Sequence, residues 1–143
     1  MKKCSVVLGL LLLMVAGAVA APNVSPSKVP AFPKILNNAR YVYVASYDGD
    51  QFSTDLLPDE RAAIANVQDA LRQWGRFAVV YRPQDADMIL LVQSRPTEDV
   101  LAVYDASVPN SNYLWRAMGR DGLQKGETPL ITELQQAVET AAK

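Results

Sequence analysis

The chain has 143 residues, with 14 basic against 15 acidic residues, no histidine and a single cysteine. This length suits one domain. The absence of histidine removes the usual general base near neutral pH and the commonest zinc ligand. The charges are dispersed without a basic run, so nucleic acid is a poor candidate partner.

The first twenty residues predict a secretory signal peptide. The basic start Met1–Lys3 precedes the apolar run Val6–Val15, and Ala18 and Ala20 have the small-x-small spacing of a signal peptidase site. An uncleaved anchor is the alternative, but the apolar run is short for a membrane span. We therefore expect cleavage near Ala20, no stable membrane anchor, and a periplasmic or secreted product. Cys4 precedes the apolar run, unlike a lipoprotein cysteine, so the mature chain is expected to lack any thiol.

Residues 21–39 predict a proline-rich arm ahead of a single domain over residues 40–143. Proline at this density prevents a regular helix and favours extended chain. The prolines of this segment are Pro22, Pro26, Pro30 and Pro33. We expect Phe32, Ile35 and Leu36 to hold the end of the arm against the core.

Alternation predicts the first strand, over Arg40–Tyr47. One face of this strand carries Tyr41, Tyr43, Ala45 and Tyr47, and the other carries Val42, Val44 and Ser46.

Two amphipathic helices follow from the spacing of their apolar residues. The first spans Pro58–Trp74, with proline at the first position and Gly75 as a left-handed stop. The second is expected to be capped by Thr128 and to begin at Pro129. Both place an apolar stripe on one side, which needs a sheet to cover it.

Four more strands complete the predicted fold. They are Phe77–Arg82, Met88–Ser94, Val100–Asp105 and Tyr113–Met118. The continuous apolar run of the third strand predicts a central position, buried on both faces or nearly so, and the polar loop 106–112 predicts an antiparallel hairpin. The order β-α-β-β-β-β-α predicts an α+β two-layer sandwich, with two helices on one face of a mixed sheet of about five strands.

One sequence pattern resembles a group of small secreted or periplasmic bacterial proteins of unknown function. It consists of Ala86-Asp87, the apolar strand Met88–Val92, a strand ending at Asp105, and Leu114-Trp115. The same order is similar to the α/β domains of envelope assembly lipoproteins that activate penicillin-binding proteins, and to the amino-terminal domain of the Tol–Pal propeller protein. The resemblance covers about residues 40–142. It implies an envelope setting and a non-catalytic role, and it carries over no active-site residue.

Two short motifs match functional templates only in part. Ser25-Pro26-Ser27-Lys28 has the Ser-x-x-Lys spacing of penicillin-recognising enzymes, but it lies in the proline-rich arm rather than at a helix start. Asp48, Asp50 and Asp55 do not follow the spacing of a helical calcium loop, which needs a ligand at position five and glycine at six. We therefore expect neither a catalytic serine nor a metal site, and no cofactor.

Carboxylates offer the remaining route to catalysis. A small hydrolase would use two of Asp48, Asp50, Asp85 and Asp87, and would require two acids to meet in one pocket. No cationic partner for Asp85 or Asp87 is apparent in the sequence. We therefore expect one of them to accept backbone N–H bonds in the turn after Pro83, as such residues do in loops, and Asp105 to act similarly.

The aromatic residues leave two interpretations, packing in the core or a partner surface. Trp74 and Trp115 suit packing between helix and sheet. Tyr41, Tyr43 and Tyr47 form a possible partner surface if the valines of their strand face the helices; in the alternative, the tyrosines form the core side.

The leading hypothesis is a secreted or periplasmic, non-catalytic binding module of the bacterial cell envelope, with an envelope protein or a second copy as partner. A carboxylate-dependent hydrolase and a structural, self-associating envelope protein are the alternatives.

Overall fold

The computed structural model describes residues 29–126 and 128–143. The predicted signal peptide, the first part of the arm and the Ser25–Lys28 motif lie outside the described residues. They remain predictions.

The described chain has the α+β fold that the sequence predicts. Five strands form one mixed sheet in the order β2-β1-β3-β4-β5, and both helices pack on the same face of it. The elements are β1 (Tyr41–Ser46), α1 (Pro58–Trp74), β2 (Ala78–Val80), β3 (Met88–Ser94), β4 (Asp99–Asp105), β5 (Trp115–Gly119) and α2 (Pro129–Ala141).

Helix α1 has the predicted bounds because both of its ends are specified locally. Pro58 occupies the first position, where its missing N–H leaves no bond unmade. Asp59 lies in the first turn and Arg72 in the last, which complements the helix dipole. Gly75 ends the helix in the left-handed conformation, with a φ of 72°.

Helix α2 begins at Pro129, as predicted, but the predicted cap is wrong in one respect. Thr128 holds the N-cap position, yet its side chain makes no capping hydrogen bond. Its ψ of 71° lies outside the extended region that capping residues usually adopt. The helix is instead held by its apolar side, where Leu130 packs so closely over Gly122 that a Cβ there would lie 2.5 Å from Leu130 Cγ.

The sheet is parallel on one side of β3 and antiparallel on the other. Strand β1 pairs in parallel with both β2 and β3, so α1 connects two parallel neighbouring strands. Strands β3, β4 and β5 form an antiparallel meander, which confirms the hairpin. Strand β3 is central, as predicted, but only its helix side is fully buried; the residues of its other side are half-buried.

The core lies between the sheet and the helices. Helix α1 covers β1, β2 and β3, and α2 covers β4 and β5. The largest fully buried side chains are those of Ile64, Leu71, Met88, Leu90, Leu101, Trp115, Leu123, Leu130, Ile131 and Leu134. Trp74 is partly buried against this core and meets Phe77 edge-to-face at 5.2 Å, so both tryptophans pack as predicted.

The end of the arm is docked on the core. Phe32 and Leu36 are buried in it, as predicted, and the Trp115 Nε1 donates a hydrogen bond of 2.9 Å to the Pro30 carbonyl. The prediction for Ile35 is wrong, because this side chain is 71% exposed. It lies in the 3-10 turn Lys34–Leu36, which directs Leu36 inward and Ile35 outward.

The predicted bounds of β1, β2, β4 and β5 differ from those of the structure, β1 by one residue at each end, and the larger differences depend on the neighbouring strand. Strand β2 is only three residues long, because its pairing with β1 covers Tyr41–Tyr43 alone and a 3-10 turn then starts at Pro83. Strand β5 starts at Trp115 rather than Tyr113, and its register ends at Gly119 opposite Asp99. Strand β4 correspondingly begins one residue early, at Asp99, whose carboxylate accepts a 2.8 Å hydrogen bond from the Ser94 hydroxyl.

Candidate interaction surface

One face of the sheet carries no helix in the part of the chain that the structure describes. Residues paired across neighbouring strands share a face, so the register fixes which side chains point there. They are Tyr41, Tyr43, Ala45, Ala78, Val80, Ile89, Leu91, Gln93, Val100, Ala102, Tyr104, Arg116 and Met118. Tyr47 follows the same alternation just beyond β1. We call this set of side chains, Tyr47 included, the tyrosine face.

The structure decides between the two orientations that alternation allows for β1. Val42 and Val44 are buried beneath the helices. Tyr41 and Tyr47 are 48% and 46% exposed on the opposite side, and Tyr43 between them is half-buried. The three predicted partner-surface residues therefore lie on one helix-free face.

Of the three other tyrosines of the chain, one belongs to this face. Tyr104 of β4 pairs with Ile89, which pairs with Tyr43. Tyr113 lies at the rim, in the loop before β5. Tyr81 belongs to the helix side, because its hydroxyl accepts a 2.7 Å hydrogen bond from Arg72 of α1.

Tyr47 and Tyr104 lie along the sheet rather than projecting from it. Tyr104 is level with Tyr43, four residues before Tyr47, which corresponds to about 13 Å along a strand. Their hydroxyls nevertheless meet at 3.0 Å, so the two side chains lean towards each other over the residues between them. This explains why Ala45 and Ala102 are buried on a face that no helix of the described chain covers.

A third tyrosine hydroxyl, that of Tyr43, is fixed by a residue that follows β1. Tyr43 donates a 3.2 Å hydrogen bond to the Asp50 Oδ2. Burial, followed by the charge and the hydrogen bond of Asp50, raises the pKa of Tyr43 to about 12. Burial also opposes ionisation of Asp50, but its hydrogen bonds from the Phe52 N–H, Tyr43 and Ser53 outweigh that effect and lower its pKa.

The pKa of Tyr104 is raised as well, to about 12. Desolvation is the largest cause, followed by the hydrogen bond with Tyr47, while the nearby Arg116 acts in the opposite direction. The phenols of Tyr43 and Tyr104 are therefore neutral at physiological pH, and they offer fixed hydrogen-bonding groups rather than nucleophiles.

Arg116 is the only charged side chain that the five described strands place on this face. Its guanidinium lies 5.7 Å from the centre of the Tyr113 ring. Its Nε is buried without a hydrogen-bond partner, and no carboxylate of the described residues lies within 4.0 Å of it. Sequence reasoning missed Arg116, although the alternation of Trp115 and Ala117 with Arg116 and Met118 contained the signal.

A pocket of about 290 Å³ opens on the tyrosine face. It is lined by Tyr43, Ile89, Leu91 and Tyr104 of the strands, and by residues 105, 106 and 108–111 at and after the end of β4. Its volume lies at the lower limit of small-molecule sites.

The four carboxylates proposed for catalysis do not gather at one point, because Asp48 and Asp50 follow β1 whereas Asp85 and Asp87 precede β3. Asp50 follows the carboxyl end of β1, whereas Asp87 precedes β3, which is parallel to β1; the two therefore lie at opposite ends of the sheet. Asp87 accepts hydrogen bonds of 2.8 and 3.0 Å from the Arg40 and Tyr41 N–H groups. These two hydrogen bonds hold the pKa of Asp87 below its usual value, and the bond from the Arg40 N–H has the larger effect.

Two expectations about these acids need correction. Asp87 accepts backbone bonds as predicted, but from the start of β1 rather than from the turn after Pro83. Asp85 does have a cationic partner: Arg82 Nε lies 2.7 Å from its carboxylate, because the 3-10 turn Pro83–Asp85 brings these residues onto one side. Asp105 accepts a 2.8 Å bond from the Ser107 N–H, as predicted.

The described residues hold neither a metal cluster nor a membrane helix. Among residues 29–126 and 128–143, no group of three or more acidic or cysteine side chains could hold a metal ion. No helix within these ranges is long and apolar enough to span a bilayer.

The fold and this face define a small α+β domain with one open sheet surface. No family model matches the sequence, and no curated protein matches it either. Among solved structures, the chain is similar to the dodecamer of a PelC point variant from Paraburkholderia phytofirmans, at 20% identity and a TM-score of 0.48 over 76% of this chain and 92% of that one.

Proposed function

We propose that the protein is a non-catalytic protein-interaction module of the bacterial cell envelope that binds its partner on the tyrosine face. The observation that carries the proposal is the position of Tyr41, Tyr43 and Tyr47 on an apolar sheet face that no helix of the described residues covers. Tyrosine suits interfaces because it combines apolar area with a hydrogen-bonding hydroxyl.

The arrangement of the face favours binding in a second way. The Tyr43, Tyr47 and Tyr104 hydroxyls are already fixed by hydrogen bonds. Side chains that are ordered before binding lose little conformational entropy when a partner docks. The envelope setting is supported by the predicted signal peptide and by the resemblance to envelope domains.

Cross-linked capture from cell envelopes tests the proposal, with residues 21–143 as bait. Replacing both Tyr41 and Tyr47 by serine should abolish capture of a specific partner while leaving the thermal unfolding transition in place. Tyr81→Ser is the matched control, because Tyr81 is 47% exposed but lies on the helix side. Capture that survives the double substitution, or that Tyr81→Ser abolishes equally, would exclude the tyrosine face as the binding surface.

A further inference from the structure

A second apolar surface lies in the loop between β1 and α1. Phe52 and Leu57 lie on the same ordered loop with four residues between them. Their side chains are 68% and 56% exposed. Isolated exposed apolar residues are common. Two large apolar side chains on one loop, beside several acids, form a local apolar patch. Exposed apolar patches mark interaction sites. We call residues 48–59 the Phe52 loop.

The turn that carries Phe52 is rigidly held. Arg61 donates hydrogen bonds of 2.6 Å to the Gln51 carbonyl and 2.8 Å to the Ser53 carbonyl, on either side of Phe52. The Phe52 N–H donates to the Asp50 carboxylate at 2.9 Å. The ring is therefore displayed on a fixed scaffold, and binding through it requires little further ordering.

The Phe52 loop is also acidic at its surface. It carries Asp48, Asp50, Asp55 and Asp59. The cations beside it are Arg61, whose two terminal nitrogens bind backbone carbonyls, and Arg95, which lies 4.0 Å from Asp48. The loop therefore presents an apolar tip with an excess of carboxylates around it.

The tyrosine face has the complementary features. Its pocket of about 290 Å³ beside Tyr43, Ile89, Leu91 and Tyr104 is large enough to admit one aromatic side chain, since an apolar cavity of about 150 Å³ holds benzene. Arg116 lies beside Tyr104 without an acidic partner among the described residues. Residues 1–28 contain no Asp or Glu, so the segment ahead of the described chain has no carboxylate to offer Arg116.

We propose that the occupant of the tyrosine face is a second copy of this chain, which inserts Phe52 into the pocket and places the acids of its Phe52 loop beside Arg116. This inference rests on the proposed function, whose partner it identifies. Two tyrosine faces would not pair with each other in the same way. The described strands place no acidic side chain on that face, so both Arg116 guanidinium groups would remain unpaired.

Such a contact joins two different surfaces of the same molecule. A pair that makes this contact once keeps one free Phe52 loop and one free tyrosine face, so further copies add to it and form a closed ring or an open filament. This growth separates the proposal from a two-fold dimer, in which each copy would insert Phe52 into the other and leave neither surface free.

Sedimentation of the purified protein across a concentration series tests it. The unsubstituted chain should form species larger than a dimer. Phe52→Ser and Arg116→Glu should each raise the dissociation constant by about thirtyfold or more, as expected for an aromatic anchor and a charge pair in an interface. Ile35→Ser and Lys125→Glu are the matched controls, since Ile35 is 71% exposed and Lys125 is exposed, and both lie outside the two surfaces.

Mixing the two single variants is the most specific test. Phe52→Ser retains an intact tyrosine face and Arg116→Glu retains an intact Phe52 loop, so an equimolar mixture should form a one-to-one pair and nothing larger. Circular dichroism of each variant before mixing checks that both are folded.

Several results would overturn the inference. They are a chain that stays monomeric at all concentrations, assembly that both substitutions leave intact, or variants that do not pair when mixed. A monomeric chain whose envelope capture still depends on Tyr41 and Tyr47 would refute the self-contact alone and leave the proposed function standing. Loss of assembly in the control variants would equally count against it.

Discussion

The two faces of the sheet have different chemistry, although the same strands form both. On β3, Leu90 points to the helices and is completely buried, whereas its neighbour Leu91 points to the tyrosine face and is half-buried. On β4 the same contrast separates the buried Val103 from Tyr104. The helix side buries aliphatic area, and the other side presents aromatic rings with fixed hydroxyls.

The contrast between the two sides bears on both stability and the proposed binding. Burial of apolar area is the main favourable term in folding, and the helix side provides most of it. The tyrosine face contributes less burial and leaves its aromatic area available, which is the composition of an interface. Substitutions on the two sides should therefore separate stability from binding.

The largest expected effect comes from truncating adjacent leucines on the two faces. Leu90→Ala should lower the free energy of unfolding by about 2–5 kcal/mol, because it leaves a cavity in the closed core. Leu91→Ala should lower it by only about 1 kcal/mol, since the half-buried site is open to solvent. Denaturant unfolding with equal m-values for both variants would measure the difference.

The two leucines control for each other, because they differ only in the side of β3 on which they lie. Equal losses of stability would mean that the tyrosine face is as fully packed as the core. The comparison should be made at a concentration below any self-association, where Leu91 is not covered by a second copy.

A smaller change in the free energy of unfolding, of opposite sign, is expected at a buried polar residue on the helix side of the sheet. Glu60 of α1 is 1% exposed, and neither carboxylate oxygen has a hydrogen-bond partner in the described chain. A buried polar group without a partner costs about 1–3 kcal/mol, while an acid in the first helical turn gains about 0.3–1 kcal/mol. Glu60→Met should therefore raise the free energy of unfolding by about 1 kcal/mol.

Asp59→Met is the matched control for this prediction. Asp59 is the preceding residue of the same helical turn but is exposed, so its substitution removes only the favourable interaction with the helix dipole. It should lower the unfolding midpoint slightly while Glu60→Met raises it. A loss of stability in both variants would show that Glu60 is favourably paired.

The elements that the sequence predicted well are those with local signals. Pro58 and Gly75 delimit α1, and a continuous apolar run delimits β3, so both have the predicted bounds. The ends of β2 and β5 depend on how far the adjacent strand pairs with them, which no local residue encodes.

The sequence predicted which tyrosines share one face of β1, but not whether that face points to the helices or away from them. Alternation placed Tyr41, Tyr43 and Tyr47 together, but it cannot tell which side the helices cover; only the packing of α1 on Val42 and Val44 decides that. The partners of Tyr47 and Asp85 escaped prediction for different reasons. Tyr47 meets Tyr104 across 57 residues of sequence, and Asp85 meets Arg82 through an unpredicted 3-10 turn.

The smallest effect at neutral pH concerns the ionisation of the tyrosine face. The folded-state pKa values of Tyr43 and Tyr104 are raised from 10.0 to about 12, mainly because burial disfavours the phenolate. The unfolded chain therefore loses these protons first, so the contribution of these groups to stability is complete below pH 10 and is lost as the pH rises from 10 through 12.

An alkaline titration followed by the ultraviolet absorbance of phenolate measures this directly. The folded protein should show a step near pH 12 that moves to about pH 10 in denaturant. Tyr104→Phe should remove part of that step and Tyr43→Phe another part. A folded protein without the late step would mean that the hydroxyls of Tyr43 and Tyr104 are open to water, and that the tyrosine face is not fixed before its partner binds.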